Sequence, residues 1–177
     1  MLSIAIFIKS ACQDPNLQNI PVRSEAGRRI REAFRPQKKG WSYLSADYSQ
    51  IELRLLAHLS EDPALVGAFQ RNQDIHAHTA SLIYGIPLQE VTKEQRQNAK
   101  AVNFGIIYGQ GAYGLSEQLG IDRKEAAAFI EMYFQRLPLV KKYLEACKAK
   151  AHETGKAVTM TGRERLIPEI ESKKYPA

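Results

Sequence analysis

Four residues in the stretch RQNAKAVNFGIIYG recur at every fourth position: Arg96, Lys100, Phe104 and Tyr108. On an α-helix this spacing places them along one slowly drifting face, about 18 Å long at 1.5 Å rise per residue. Arg96 and Lys100 can bind phosphate groups, and the two aromatic rings can stack on a sugar or a base. The pattern therefore favours binding of an extended nucleotide. The alternative is an ordinary amphipathic helix with core aromatics and solvated basic residues.

A second candidate is the carboxylate of Asp47, which ends the alternating stretch from Trp41 and is followed at once by a helix signal. We predict a strand over 41–47 with Asp47 at its C-terminal end. A carboxylate there, near a cationic helix face, is suited to a divalent metal bound to phosphates. The alternative is that Asp47 only caps the following turn. Phosphoryl transfer by two metals would need at least one further carboxylate.

Two histidines, His76 and His78, are spaced i, i+2 and so lie on different faces of a helix. This spacing disfavours a shared metal. A single phosphate contact from His76 is the better prediction.

The elements that position these residues are mainly helices. Ser49 and Glu52 match the S-x-x-E capping box and predict a helix start. Its core-facing residues are expected to be Ile51, Leu55, Leu56 and Leu59. Further caps, prolines and glycines predict helices at Pro63 to about Arg71, after Asp74 to Gly85, Thr92 to Tyr108, Asp122 to Phe134 and Leu139 to about His152. A glycine-rich turn should follow Tyr108, and a hairpin should run from Ala157 to Ile167.

Composition sets the broad class. The chain has 177 residues, a net charge of +6 and 44% hydrophobic residues, which is typical of one compact globular unit or part of a larger one. No segment has the apolar length of a membrane span, and the apolar start MLSIAIFIK is predicted to be a buried strand. Cys12 and Cys147 suggest neither a disulfide framework nor a zinc site, so a reducing cytoplasm is expected.

The basic residues are not evenly spread. Six of them form one dense run before the predicted strand: Arg28, Arg29, Arg31, Arg35, Lys38 and Lys39. Such a run favours a nucleic-acid partner, since each cation that neutralises a phosphate releases counterions. Simple solubility is the alternative.

The stretches DYSQIELRLLAHLS, RQNAKAVNFGIIYG and DPNLQNIPVR resemble the central motifs of the family A DNA polymerases, and the likeness runs from Asp14 to about Ser172. The resemblance implies an α+β, mostly helical fold made of fingers helices with a few palm strands at either end. Residues 1–60 would be partial palm, residues 61–154 would be fingers with the nucleotide-binding helix at 93–108, and residues 155–177 would begin the returning palm hairpin.

The resemblance also implies roles in template-directed nucleotidyl transfer with Mg²⁺, in DNA replication and repair. Asp47 and the Tyr48 carbonyl would bind metal, and Asp47 and Lys100 would be the catalytic residues. Arg96 and Lys100 would bind the triphosphate, with His76 and Gln50 assisting. The remaining roles are exclusion of a ribose by Glu52, sugar packing by Phe104, template-base stacking by Tyr108, and DNA contacts by Gln18, Asn19 and Arg54.

The expected partners are primer–template DNA and deoxynucleoside triphosphates, with no membrane and no obvious oligomer. The sequence nevertheless departs from the family. It contains no His-Asp-Glu triplet, which carries the second catalytic aspartate, and IFIKSACQ stands where Thr-Gly-Arg-Leu-Ser-Ser is expected. The ending SKKYPA is expected to diverge as well. We therefore expect a fragment that is inactive alone, the alternatives being a non-catalytic nucleotide- or DNA-binding module and a poorly folding remnant.

Overall fold

The computed structural model describes residues 20–21, 24–42, 44 and 48–171. The chain divides into two compact units, Met1–Asp47 and Tyr48–Ala177. Helices dominate the described residues, which confirms the expected mostly helical class. Among these residues, no helix is both long and apolar enough to cross a membrane.

In the first unit, helix α1 spans Glu25–Glu32. The Ser24 side chain caps it by accepting a hydrogen bond from the Gly27 amide at 3.1 Å. A Cβ atom at Gly27 would lie 1.9 Å from the Pro21 carbonyl oxygen, so only glycine fits there. All six residues of the basic run are solvent-exposed, as both explanations of that run require.

The strand expected over residues 41–47 is absent at the three positions before Asp47 that the structure describes. Trp41, Ser42 and Leu44 adopt no strand, so the prediction is wrong for these three. The rest of that stretch, like the apolar N-terminal segment, lies outside the described residues.

The second unit is built from seven helices followed by a hairpin, within the described residues 48–171. The helices are α2 (Ile51–Ser60), α3 (Pro63–Gln70), α4 (Ile75–Tyr84), α5 (Lys93–Ile107), α6 (Ala112–Leu119), α7 (Arg123–Arg136) and α8 (Pro138–Thr154). Short 3₁₀ turns span Leu88–Glu90 and Pro168–Glu171. The hairpin strands β1 (Lys156–Val158) and β2 (Glu164–Leu166) pair antiparallel, with Ala157 opposite Arg165. The bounds of α3, α4, α5, α7 and α8 and the hairpin lie within about two residues of the sequence predictions.

The core of this unit lies between the helices. All seven helices contribute fully buried members: Leu53, Leu65, Ile75, Val102, Leu115, Tyr133 and Val140. Helix α5 packs mainly against α4, and α6 packs against α7. The packing against α4 therefore fixes the position of α5 and, with it, the exposed face of that helix.

Two local predictions about α2 are wrong. Its N-cap residue is Gln50, in a left-handed conformation with φ of 55°, and the Gln50 side chain makes no capping hydrogen bond. The expected capping box starting at Ser49 therefore does not form. Of the residues expected to face the core, Leu56 is buried, but Leu55 is 43% exposed, and the helix buries Leu53 and Ala57 instead. The core-facing side of α2 is set by its packing against α3, α5 and α8, which the local sequence pattern does not report.

Helix α6 replaces what was expected to be only a glycine-rich turn. Helix α5 ends in a Schellman arrangement, in which the Gln110 amide donates to the Gly105 carbonyl at 2.8 Å and Gly109 has φ of 70°. Gly111 then caps α6 directly. Three glycines in six residues disfavour a helix by propensity alone, but burial of Leu115 in the core stabilises it.

Candidate nucleotide-binding site

The start of α5 is fixed by the predicted capping box. The Gln95 amide donates to the Thr92 hydroxyl at 3.2 Å, and the Thr92 amide donates to the Gln95 side chain at 2.9 Å. With this register, Arg96 is half-buried, Lys100 is exposed, Phe104 is half-buried and Tyr108 is 68% exposed. The predicted face therefore lies at the protein surface rather than in the core.

Arg96 is held by a carboxylate from the neighbouring helix. Its Nε donates to Asp74 Oδ2 at 2.8 Å, and its Nη2 lies 2.8 Å from the same oxygen in an ion pair. The other oxygen, Asp74 Oδ1, accepts from the amides of His76 and Ala77 at 3.0 Å each and so caps α4. One carboxylate thus starts α4 and holds the guanidinium of α5.

Asp74 is ionised for a physical reason. Burial raises the pKa of its carboxyl, but the Ala77 amide, the Arg96 guanidinium and the His76 amide outweigh burial. The resulting pKa lies below the ordinary value of an aspartate, so the pair with Arg96 is charged at neutral pH.

His76 is nearly buried, with 3% of its surface exposed. Its Nδ1 lies 3.1 Å from Asn103 Nδ2, which also donates to the Thr79 hydroxyl at 3.1 Å. Because an amide nitrogen only donates, Nδ1 of His76 must accept, and the ring proton is on Nε2. Asn103 on α5 therefore fixes the tautomer of a histidine on α4.

The charge state of His76 follows from its surroundings. Its pKa is lowered to about 4, mainly by burial; Asp74 opposes this effect, and Arg96 and Lys100 add to it. The ring is therefore neutral at physiological pH and offers a hydrogen-bond donor rather than a positive charge.

The aromatic half of the site forms a row. The His76 and Phe104 ring centroids are 5.7 Å apart with a tilt of 47°, and the Phe104 and Tyr108 rings stack at 6.3 Å with only 13° between their planes. Near-parallel rings with one member exposed give a flat surface on which a sugar or base can stack.

The structure thus brings five of the expected nucleotide-binding residues together along α4 and α5: His76, Arg96, Lys100, Phe104 and Tyr108. His78 is placed differently from His76. Burial lowers the pKa of His78, Arg71 adds to the effect, and a hydrogen bond with the Ala64 backbone opposes it.

The residues expected near the start of α2 have other surroundings. Gln50 is half-buried at the N-cap, Glu52 is half-buried on α2, and Tyr48 is 78% exposed. Arg54 Nε donates to the Ser49 carbonyl at 2.9 Å, and its guanidinium lies 4.7 Å above the Phe69 ring. Arg54 is therefore held against its own unit, with its charge at the surface.

Three predicted site residues, Gln18, Asn19 and Asp47, lie outside the described residues. Within the described part, no group of three histidine, cysteine, aspartate or glutamate side chains could hold a metal ion. The described residues therefore do not make up a two-metal site by themselves.

The sequence reasoning missed two members of the site. Asp74 was read only as a helix cap, and Asn103 was not considered. A signal was available for each: Asp74 stands two residues before His76, and Asn103 is a polar residue on the side of α5 that faces the core. It is 0% exposed.

The chain is similar to several known proteins. The chain is 50% identical to DNA polymerase I of Pseudomonas aeruginosa over 172 residues and 51% identical to DNA polymerase I of Bacillus subtilis over 162 residues. These matches cover 97% and 92% of the chain but only 19% and 18% of the two relatives, so the chain spans about a fifth of their length.

A solved structure is similar as well. It is described as the POL domain of Pol1 from M. smegmatis in complex with DNA primer-template and dNTP, and it matches with a TM-score of 0.80 at 46% identity. The match covers 91% of this chain and 28% of that one. The sequence pattern described as DNA polymerase family A matches residues 9–177. This match includes the last residues, which were expected to diverge. The chain therefore belongs to DNA polymerase family A.

Proposed function

We propose that this chain serves template-directed DNA polymerisation and supplies the part that binds the incoming deoxynucleoside triphosphate. One observation carries the proposal. The exposed face of α5 presents Arg96 and Lys100 followed by the Phe104–Tyr108 ring stack, with His76 beside them. A triphosphate would lie on the cationic half, and the sugar and base would lie on the aromatic half.

Within this proposal each residue has a distinct role. Arg96 and Lys100 neutralise the phosphate charge, and Lys100 stabilises the charge that develops on the leaving pyrophosphate. His76 contributes an uncharged hydrogen bond from Nε2. Phe104 packs against the sugar, and Tyr108 stacks on a base. Support comes from the similar structure, whose description names bound primer-template and dNTP.

The metal-binding and DNA-binding roles remain part of the same proposal. Mg²⁺ would be held by Asp47 and the Tyr48 carbonyl, and it would supply charge stabilisation at the phosphates. Gln50 and Glu52 would contact the nucleotide, and Gln18, Asn19 and Arg54 would contact primer–template DNA. Because the sequence contains no His-Asp-Glu triplet, the contribution proposed for this chain is nucleotide binding rather than complete two-metal catalysis.

A chimera tests the proposal. We would replace the matched segment of Bacillus subtilis DNA polymerase I with the corresponding residues of this chain and measure primer extension. We expect extension by the chimera, a loss of at least about 100-fold for Lys100→Ala, and no change for the exposed Lys150→Ala. Equal activity of the Lys100→Ala and Lys150→Ala chimeras would refute the assigned role of α5.

A second function, a non-catalytic nucleotide- or DNA-binding module, is favoured by the dense run of exposed basic residues between Arg28 and Lys39. Primer extension by the purified 177-residue chain, beside an Asp47→Ala control, separates the two. We expect no extension by the isolated chain. Extension that Asp47→Ala abolishes would instead show that the chain completes a metal site of its own.

A further inference from the structure

The contact between Asp74 and Arg96 has a geometry that bears on how Arg96 can bind phosphate. Arg96 donates its Nε–H to one carboxylate oxygen, Oδ2 of Asp74, and Nη2 lies 2.8 Å from that same oxygen. A guanidinium has five N–H groups in a planar fork. The fork formed by Nη1 and Nη2 is therefore left for another acceptor, and the described residues provide none.

Asp74 is itself a fixed point. Its Oδ1 accepts two backbone amides, those of His76 and Ala77, at 3.0 Å. A carboxylate held by two amides at a helix start cannot follow a mobile arginine, so the arginine is oriented by the carboxylate. The Arg96 side chain is 40% exposed and would otherwise sample many rotamers.

From this geometry we propose that Asp74 is a positioning residue. It holds the Nε–Nη2 edge of the Arg96 guanidinium, so that the Nη1–Nη2 fork is free to bind a phosphate that lies along α5. The inference rests on the proposed function, because it concerns the same nucleotide site. Asp74 does not compete with the phosphate for Arg96, since the two acceptors use different edges of the guanidinium.

The test variant is Asp74→Asn. Asparagine caps a helix as well as aspartate does, so α4 keeps its start while Arg96 loses its ionic partner. The chain contains a matched control: Asp122 caps α7 by accepting the Lys124 amide, and no contact of Asp122 with Arg96 is present in the described structure. Asp122→Asn therefore changes a cap of the same kind away from the site.

Calorimetric titration of the full chain with Mg²⁺–dATP gives the first readout. We expect Asp74→Asn to weaken binding about three- to tenfold, because the freed arginine must be ordered on binding. Asp122→Asn should bind like the wild type. In an Arg96→Ala background, Asp74→Asn should cause no further loss, because Asp74 acts through Arg96.

Several outcomes would overturn the inference. Unchanged binding by Asp74→Asn would show that Arg96 needs no positioning, and tighter binding would show that Asp74 competes with phosphate. A loss of the same size in the Arg96→Ala background would show that Asp74 acts by another route. Lys100→Ala separates these failures from failure of the proposed function: if that variant binds dATP normally, the triphosphate site itself is wrongly assigned.

A second readout needs no ligand. The Arg96 Nε–H signal in ¹H–¹⁵N NMR spectra should be sharp in the wild type and in Asp122→Asn, and broadened by solvent exchange in Asp74→Asn. An identical Arg96 signal in all three proteins would contradict the positioning role even if no nucleotide binds.

Discussion

At the scale of single residues, the site combines a charged pair at the surface with a neutral histidine behind it. Asp74 is ionised and His76 is neutral although the two are close in sequence, because backbone amides stabilise the carboxylate and burial disfavours the imidazolium. The neutral histidine leaves Arg96 and Lys100 as the cations of this site.

The neutral state of His76 predicts a pH dependence of stability. Its pKa in the folded chain, about 4, lies below the ordinary value of 6.5, so the unfolded chain binds more protons between these values. The stability that the neutral ring contributes should therefore be complete well above pH 6.5 and be reduced by roughly 2 kcal/mol at pH 5, at about 1.4 kcal/mol for each pH unit. Urea unfolding at pH 7 and pH 5 checks this.

His76→Gln is the control, since its amide oxygen can accept the same hydrogen bond from Asn103 without titrating. Its stability should fall less over this pH range. The remaining slope would come from His78, whose pKa is also lowered. Equal slopes for wild type and His76→Gln would contradict the assignment, as would an NMR titration of the His76 ring with its midpoint near 6.5.

At the scale of elements, the joint between α5 and α6 is filled by one side chain. A Cβ atom at Gly105 would lie 2.7 Å from Gln110 Oε1, and one at Gly114 would lie 2.8 Å from Gln110 Cγ. Gln110 therefore occupies the space that two glycines leave open, one on each helix. This close approach explains glycines inside helices, where they are otherwise unfavourable.

We predict that Gly114→Ala is destabilising, by about 1 kcal/mol, because Cγ is close to the backbone of Gln110 and cannot easily move away. Gly105→Ala should cost less, because it meets only the end of the same side chain. In a Gln110→Ala background, Gly114→Ala should instead stabilise by about 0.5 to 1 kcal/mol, the usual gain over glycine in a helix. Thermal unfolding of the wild type, the two single variants Gly114→Ala and Gln110→Ala, and the double variant checks this reversal. A Gly114→Ala effect of the same sign in both backgrounds would refute it.

Much of the helical layout could be predicted from the sequence, because local signals mark it. Thr92 with Gln95 and Asp62 with Pro63 define helix starts through hydrogen bonds a few residues away. Helix α6 could not be predicted in this way, since packing of Leu115 outweighs the poor propensity of its glycines. The start of α2 was missed by one residue, because Gln50 adopts a left-handed conformation that no local signal announces.

The site was predictable to a similar degree. The four-residue spacing from Arg96 to Tyr108 gives the exposed face of α5, because helical geometry alone fixes it. The partners on α4 could not be read from spacing, since the contact of Asp74 with Arg96 and that of His76 with Asn103 span more than twenty residues. Those contacts depend on how α4 packs against α5.

At the scale of the whole molecule, Asp62 joins distant parts of the second unit. It is 1% exposed, caps α3 by accepting the Ala64 amide at 3.1 Å, and accepts the Leu139 amide at the start of α8 at 3.2 Å. The phenol of buried Tyr133 has a raised pKa. Burial of the phenol is the main cause, and the negative charge of Asp62 is the second.

We predict that Asp62→Asn costs about 2 kcal/mol in the free energy of unfolding, because an amide can accept only one of the two hydrogen bonds and leaves a buried donor unpaired. The exposed cap variant Asp122→Asn should cost much less. Urea unfolding of both variants tests this, and equal costs would show that the link between α3 and α8 contributes nothing.

The central claim is that the exposed face of α5 binds a triphosphate, and one measurement tests it most directly. We would compare Mg²⁺–dATP and duplex DNA binding by the wild type, Lys100→Ala and Lys150→Ala under the same salt conditions. The account predicts that Lys100→Ala weakens dATP binding at least about tenfold, or about 1.4 kcal/mol, with duplex binding nearly unchanged and Lys150→Ala neutral. Equal losses on dATP and duplex DNA, or no loss on dATP, would contradict it.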